Sequence, residues 1–588
     1  MSKENAIGQV YASEINQIIV RSDDLKNIED VKNKLNIGNL VKISDGNCND
    51  HIIAIIQNMK IVDSNDDSTC KMDIVCQPIG TYTDEGFQRG IKNMPLPCEE
   101  AFSVNADLLK KIFEDNDVFN FQIGDLAQNN NIKAMVDGNK LFSKHIAVVG
   151  STGSGKSCVV AKLLQEAVGF DNGLNKNKEH QKNSHIIIFD IHSEYTNAFK
   201  LVESEKFNLN LLNIDNLKLP YWLMNSEELE DMFIESNDQN SYNQVSQFKS
   251  AVIKNKIVKN NNSNVNYDTP VEFDINEVKN YLENLNRERV DKNDKRTPIL
   301  DDGSKIKDRY EKYFSKVLDF EQSTSKTNNG PYNNDFARFV TRLETRLSDE
   351  RLKFLLSPEK EDGSSFNSSD FQNILKQFIG YIDNNKSNIT IIDLSGIPFE
   401  VLSTTISLIS RIVFDFAFNY SKLKHIYGVT NDIPIMLVCE EAHNYIPKSN
   451  ESQYKSSKKS IERIAKEGRK YGLSLMIVSQ RPSEVSETIM AQCNNFIALR
   501  LTNTNDQSYV KNLLPDNIGS ICETLPSLNP GEALIVGDAA LLPSVVQFKM
   551  PNPRPKSETI NFLSEWEENW REVTFEDIIR KWRKETIT

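Results

Sequence analysis

With 588 residues, 39% hydrophobic and 26% charged, the chain has an ordinary globular composition and the length for two to four domains, each with its own core. Its formal charge of −14 excludes nucleic-acid binding by bulk attraction, so any such contact is expected in a local basic strip such as the lining of a pore. Eight scattered cysteines without C-x-x-C spacing exclude a zinc or disulfide framework and read as reduced thiols of a cytoplasmic protein; no signal-peptide core or membrane-spanning apolar run is seen.

Residues 1–125 read as short strands. Ile7–Tyr11, Gln17–Ile19, Leu40–Ile43, Ile52–Gln57 and Ile74–Gly80 alternate apolar and polar residues, with Asp45-Gly46, Gly80, Gly86 and Gly90 as turn signals. A small β-barrel or sandwich for assembly or docking is expected. Phe87-Gln-Arg-Gly-Ile91 leads to Met94-Pro-Leu-Pro97, which is extended because a residue before proline is pushed out of the helical region.

Residues 126–200 are expected to form the first half of an α/β nucleotide domain. The apolar strand Ile146–Val149 runs into Gly150–Ser157, GSTGSGKS, which fits G-x-x-x-x-G-K-S/T in full. Gly150, Gly153 and Gly155 lack Cβ atoms, so the backbone N–H groups of Gly150, Ser151, Thr152, Gly153, Ser154, Gly155, Lys156, Ser157 and Cys158 can cradle a polyphosphate at a helix N-terminus. Lys156 supplies charge to the β- and γ-phosphates, and the Ser157 hydroxyl can complete the shell of a Mg²⁺. After the polar loop Asp171–Ser184, the run His185–Phe189 ends in Asp190-Ile191-His192-Ser193-Glu194-Tyr195. Asp190, His192 and Glu194 thus stand where α/β sites place metal- and water-handling groups.

Residues 201–380 change texture. Glu227–Glu235, Tyr310–Phe320 and Phe339–Leu356 read as helices, and Asn260–Asn266 and Ser323–Asn334 as mobile loops, together a helical insertion. The core resumes over 381–550, with a strand at Asn388–Leu394, an apolar helix from about Leu402 to Phe418, and Pro434–Cys439 ending in Glu440-Glu441. Glu440 stands where an acid orders Mg²⁺ through water, and Glu441 where a carboxylate polarises the attacking water.

Tyr454–Tyr471 is the most basic helix, with Lys459, Arg463, Lys466 and Lys470 on one face. It leads into the strand Leu473–Val478 and then Ser479-Gln480-Arg481-Pro482, where Gln480 can sense a γ-phosphate. Asn495–Leu501 reads as a further strand, and Glu532–Val536 with Ser544–Phe548 as a β pair closing the sheet. Residues 551–588 are a proline-containing linker and an aromatic helical tail bearing Phe562, Trp566, Trp570, Phe575 and Trp582.

SKHIAVVGSTGSGKS (143–157), FDIHSEY (189–195), IIDLSGIP (391–398), VCEEAHNYIP (438–447), RIAKEGRKYGLSLMIVSQRP (463–482) and FQRGI followed by MPLP jointly resemble the HerA group of the HerA/FtsK superfamily of ring-shaped DNA translocases. The resemblance implies an α/β protein: a RecA-like phosphate-loop core with an N-terminal small β-barrel and a helical insertion. It further implies a hexamer with DNA in its central channel, using ATP and Mg²⁺. Lys156 and Ser157 carry over for phosphate and Mg²⁺, Glu441 for hydrolysis and Gln480 as sensor. Arg469 is the first choice for an arginine acting on a neighbouring subunit's phosphate, with Arg463 the second. Two positions depart from the pattern. Lys144 stands where an arginine is common and lacks the bidentate fork, and Ile191 replaces a proline.

Members of this group commonly work with a second protein, a nuclease or, in bacterial defence operons, a sirtuin-like NAD-consuming effector. Such a partner is expected to dock on the barrel and supply its chemistry in trans, in anti-phage defence or DNA end processing. The rival expectation is an ATP-gated ring scaffold that activates an effector without translocating DNA. A packaging or conjugation pump would call for a membrane anchor.

Overall fold

The computed structural model describes residues 6–22, 35–44, 50–62, 71–91, 93–114, 118–169, 182–200, 209–234, 240–382, 385–449, 454–514, 521–556 and 560–583. The expected turn at Asp45-Gly46 and loop residues 171–181 lie outside them.

Seven strands come first: β1 (Gly8–Glu14), β2 (Gln17–Ser22), β3 (Leu40–Ser44), β4 (His51–Val62), β5 (Lys71–Thr83), β6 (Gly86–Arg89) and β7 (Glu100–Ser103). They pair in the order β2-β1-β7-β3-β4-β5-β6, and a β2–β5 pairing closes six of them into a barrel, with β6 outside the ring as a partner of β5. Period-2 alternation decides the barrel interior, which holds Val10, Ile18, Val20, Val41, Ile43 and Ile74.

The second sheet has eleven strands. In chain order these are β8 (Phe121–Leu126), β9 (Asn129–Val136), β10 (His145–Val149), β11 (His185–Asp190) and β12 (Leu209–Leu212). The insertion adds two small hairpins, β13 (Arg289–Asp291) with β14 (Thr327–Asn329) and β15 (Tyr381–Ile382) with β16 (Asn385–Lys386). The sheet then continues with β17 (Ile389–Asp393), β18 (Ile435–Cys439), β19 (Leu473–Ser479), β20 (Cys493–Leu499), β21 (Glu532–Gly537) and β22 (Ser544–Gln547). Spatial order is β12-β17-β11-β18-β19-β10-β20-β21-β22-β8-β9, parallel from β12 to β20 and antiparallel beyond. The β21–β22 pair therefore does not close the sheet, because the β8–β9 hairpin adds outside it.

Apolar runs without alternation become strands buried on both faces. Ile146 and Val148 of β10 pack with the helix Lys156–Val168, whereas Ala147 and Val149 face the cluster shared by the helix Phe399–Ile426 and the insertion. Phe399–Ile426 is long and apolar enough to cross a membrane, yet 78% of its most apolar stretch is buried within the protein, so its hydropathy is that of a core helix.

Three expectations in the insertion fail for local reasons. Residues 310–320 are helical only within Arg309–Tyr313, because Tyr310 and Phe314 stack on Tyr281 and turn the chain. The helix expected over 339–356 breaks after Ala337–Leu347, where Asp349 caps a new turn by accepting the Arg351 N–H. Within 323–334, β14 pairs with β13 and is no loose loop. The residues after the helix Ser241–Asn260 are likewise tied down, since the buried Lys256 amine donates to Tyr267 O at 2.7 Å and Thr269 O at 2.8 Å. Residues 209–212, by composition part of the insertion, form the edge strand of the central sheet.

The chain divides into two compact units, Met1–Pro555 and Lys556–Thr588. The second contains two short helices, Phe562–Glu567 and Phe575–Trp582.

Candidate active site

The phosphate loop leaves the C-terminal end of β10 and enters the helix at Lys156. Gly153 and Gly155 adopt φ of 74° and 94°, a left-handed region that a side chain disfavours. A Cβ on Gly150 would lie 2.6 Å from Ser154 Oγ and 2.8 Å from Leu499 Cβ, so packing as well as conformation demands glycine there. Three flanking strands brace the loop. Ser151 N–H donates to Arg500 O at 2.8 Å, Gly531 N–H donates to Ser154 O at 3.0 Å, and the Thr152 hydroxyl donates to Gln480 Oε1 at 2.6 Å. A polar cleft of about 510 Å³ opens beside it, lined by Ser151, Thr152, Gln480, Arg481, Asn503 and Asp506. Ser157 is the second residue of the helix and Cys158 the third, both half-buried.

One strand, β19, separates β10 from β18, and so Gln480 stands between the phosphate loop and the acidic pair. Lys156 Nζ reaches past it to Glu441 Oε1 at 3.2 Å, with both side chains buried. Glu441 has φ of 45° and ψ of 48°, a left-handed conformation that costs an L-residue about 1–2 kcal/mol and swings its carboxylate off the strand direction. Its other oxygen, Oε2, lies 3.3 Å from His443 Nδ1, which also lies 3.2 Å from Ser479 Oγ.

Glu440 is buried with Oε2 lacking a hydrogen-bond partner, as Oε2 of Glu194 does. Burial first, then the nearby carboxylates of Glu441, Asp190 and Glu194, push the Glu440 carboxyl up to about 9, with Lys156 pulling the other way. Orphaned buried oxygens and a high proton affinity are what a cation would relieve, so the donor set fits Mg²⁺ at Ser157 and Glu440. Among the described residues no three acidic, histidine or cysteine side chains converge as a direct ligand cage, which suits an ion that keeps most of its waters.

Asp190 is placed differently from the expectation of a group free to face the nucleotide. Its two oxygens accept the N–H groups of Glu194 at 3.1 Å and Tyr195 at 2.9 Å, folding the turn after β11, and burial pushes its carboxyl up to about 6. His192 is exposed on that turn, and Ser193 donates to Asp393 Oδ2 at 2.9 Å.

The two candidate arginines stand apart from the loop. Arg469 precedes β19, whereas Gln480 follows it. Seven residues at roughly 3.3 Å each put about 20 Å or more between them. Arg469 Nη1 donates to Asn494 Oδ1 at 3.0 Å and lines a cavity of about 530 Å³ at that end of the sheet. Arg463 lies over the Phe414 ring, 4.3 Å from its centroid, and 3.8 Å from Asp415. The basic helix face is largely neutralised, Lys459 by Glu227 and Lys466 by Glu462. Lys144 pairs with Asp538. His145 is a core residue: Nε2 donates to Ala465 O at 2.9 Å, Nδ1 accepts from Leu475 N at 3.0 Å, and burial lowers its pKa to about 4.

Sequence reasoning missed His443, Ser479, Arg500 and Gly531 as parts of the site. Only His443 had a signal, its place two residues after Glu441.

A largely parallel sheet with a phosphate loop, a lysine-paired acid and a strand interposed between them defines an α/β phosphate-loop ATP hydrolase. Residues 121–331 match the family model described as the central domain of the helicase HerA. The probable DNA double-strand break repair helicase HerA of Methanocaldococcus jannaschii is 25% identical over 80% of this chain and 84% of that protein. The DNA double-strand break repair helicase HerA of Sulfurisphaera tokodaii is 27% identical over 75% of this chain and 72% of that protein. Among solved structures, VirB4 of Thermoanaerobacter pseudethanolicus matches 74% of this chain and 97% of its own, at 14% identity and a TM-score of 0.44. Over most of its length the chain is thus similar to HerA-type helicases.

Proposed function

We propose that this protein is an ATP-driven DNA translocase or helicase that works as a ring, with six subunits and ATP bound between them. Lys156 and the loop N–H groups would hold the phosphates, and Ser157 and Glu440 would hold Mg²⁺, whose chemistry is to neutralise phosphate charge. Glu441 would polarise the attacking water, and Gln480 would register the γ-phosphate. The observation that carries the ring is the separation along β19: Arg469 cannot reach its own phosphate loop but is free to serve a neighbour's. DNA would run through the channel, and a nuclease or NAD-consuming effector would dock on the barrel, in anti-phage defence or DNA end processing.

The test is ATP hydrolysis with and without double-stranded DNA, beside Glu441→Gln and Arg469→Ala, with particle masses from the same samples. Six-subunit particles whose DNA-stimulated turnover is lost in both variants are expected. Monomers hydrolysing ATP at one rate regardless of DNA would refute the reading.

The neutralised face of the helix Lys455–Glu467 favours a second reading, an ATP-gated scaffold, because its lysines are not left bare for a DNA backbone. A strand-displacement assay separates the two, since the scaffold turns over ATP without moving DNA.

A further inference from the structure

Two of the groups expected to meet the γ-phosphate are tied to other side chains of the site. Lys156 holds Glu441, and Thr152 holds Gln480. ATP would draw Lys156 toward its phosphates, and that takes away the cation paired with Glu441 just when its carboxylate has to hold a water in line. Glu441 then keeps a left-handed backbone at a strand end and a buried oxygen, Oε2, that has no hydrogen bond. Among the described residues, the polar side chain placed against that oxygen is His443, with Nδ1 at 3.3 Å.

The surroundings of His443 define what it can do. Nδ1 sits between two oxygens, Glu441 Oε2 at 3.3 Å and Ser479 Oγ at 3.2 Å. Ser479 Oγ in turn accepts the Arg481 N–H at 3.0 Å, so the same hydroxyl shapes the backbone on either side of Gln480. Glu484 and Arg481 also face the ring, with opposite charges that pair with each other at 2.8 Å, and Lys156 adds a weaker repulsion. The imidazole therefore touches both halves of the site, the acid on β18 and the sensor segment after β19.

We infer that His443 is a positioning residue for Glu441: its Nδ1–H shifts from Ser479 Oγ to Glu441 Oε2 when ATP takes Lys156 away, fixing the carboxylate for hydrolysis and releasing the Gln480 segment at the same moment. No proton changes owner in this exchange; one hydrogen bond is traded for another. The inference rests on the reading of Glu441 as the water-polarising acid. It adds to that reading a physical link between the catalytic acid and the phosphate sensor.

The experiment compares kcat and KM for ATP in the full chain carrying Glu441→Gln, His443→Ala, His443→Asn, Ser479→Ala and the His443→Ala/Ser479→Ala pair, with a fluorescent ATP analogue for binding and thermal melting for integrity. His443→Ala is expected to lower kcat at least tenfold while KM and analogue binding stay within twofold. His443→Asn, whose amide N–H₂ can occupy the Nδ1 position, is expected to recover most of the loss. Ser479→Ala is expected to act mainly through His443, so the double variant should fall no further than His443→Ala alone. Turnover retained in Glu441→Gln would overturn the reading of Glu441 itself. Turnover lost in Glu441→Gln but unchanged in His443→Ala would overturn only the inference, as would an Asn variant no better than Ala in a protein that melts normally. If His443→Ala does not fold, His443→Gln, whose amide reaches the Nε2 position instead, takes its place: kcat lost in His443→Gln but kept in His443→Asn supports the inference, and equal kcat in the two folded variants overturns it.

Discussion

Glu440 gives the most direct physical handle on the site. Its carboxyl is pushed from an ordinary 4.5 up to about 9, so at pH 7 the folded protein holds a proton there that the unfolded chain has released. A folded state that binds more protons than the unfolded one loses stability as pH rises, at about 1.4 kcal/mol per pH unit for one group. Between pH 7.0 and 8.5 the loss from Glu440 is therefore about 2 kcal/mol. Asp190 shifts in the same direction but only to about 6, below this window. Lys256, lowered to about 8 by burial, works in the opposite direction above that pH, yet it is present in wild type and variant alike and cancels in their difference. Glu440→Gln removes the titrating group while keeping its shape. Urea unfolding in EDTA should show the variant gaining about 2 kcal/mol on wild type between pH 7.0 and 8.5. A second readout follows. Mg²⁺-ATP titrated into wild type at pH 8 should release about one proton per site, seen as a dependence of binding heat on buffer ionisation enthalpy, and none into the variant. Stability curves that run parallel in wild type and Glu440→Gln would refute the claim that this carboxyl is held neutral by burial beside three other acids.

Gly150→Ala should cost about 1–3 kcal/mol, because its Cβ meets Ser154 Oγ and Leu499 Cβ below 3 Å, and should weaken nucleotide binding at least tenfold by displacing the loop, both read by melting with and without an ATP analogue. Glu228→Ala should destabilise by about 3–5 kcal/mol, since the buried carboxylate pairs with half-buried Arg411 at 2.8 Å and joins the helix Ser226–Phe233 to the core helix Phe399–Ile426; Glu228→Gln should recover part of the loss. Lys256→Met should leave Tyr267 O and Thr269 O without their donor and cost about 2–4 kcal/mol while ATP turnover at permissive temperature stays within twofold, because the lysine lies in the insertion away from the phosphate loop.

What could be read from the sequence was the chemistry confined to short stretches. Gly150–Ser157 makes a phosphate cradle from eight consecutive residues, and the run Ile435–Cys439 before Glu440-Glu441 announces a doubly buried strand by its lack of alternation. The barrel was legible for the complementary reason, since each strand alternates and so has one inside face. The two ends of the sheet were not legible, because β12 and the β8–β9 hairpin owe their places to partners far along the chain, β17 and β22, and not to their own pattern. The break at Ser348-Asp349 was lost to helix periodicity on both sides, although an aspartate that can cap its own backbone competes with a helix interior at any such point.

The site's wiring was hidden for a deeper reason, the order of the sheet. Because β19 lies between β10 and β18, the tie from Lys156 to Glu441 has to pass the end of the strand that carries Gln480, and His443 and Ser479 fall together there. Arg469 precedes the other end of that strand, in the turn Gly468–Tyr471, and the seven strand residues between it and Gln480 have every side chain buried. A fully buried strand hydrogen-bonded on both sides cannot bend or slip in register cheaply, so a displacement of Gln480 along the strand axis is carried to Arg469 with little loss. On the proposed ring arrangement, that makes β19 a rod with a sensor of the subunit's own phosphate at one end and the residue offered to a neighbour's phosphate at the other. It predicts that Gln480→Ala, in a ring assembled with Lys156→Ala subunits that cannot bind ATP, should lower turnover in adjoining wild-type subunits as well as in its own; turnover proportional to the count of intact sites would show that the two ends of β19 act independently.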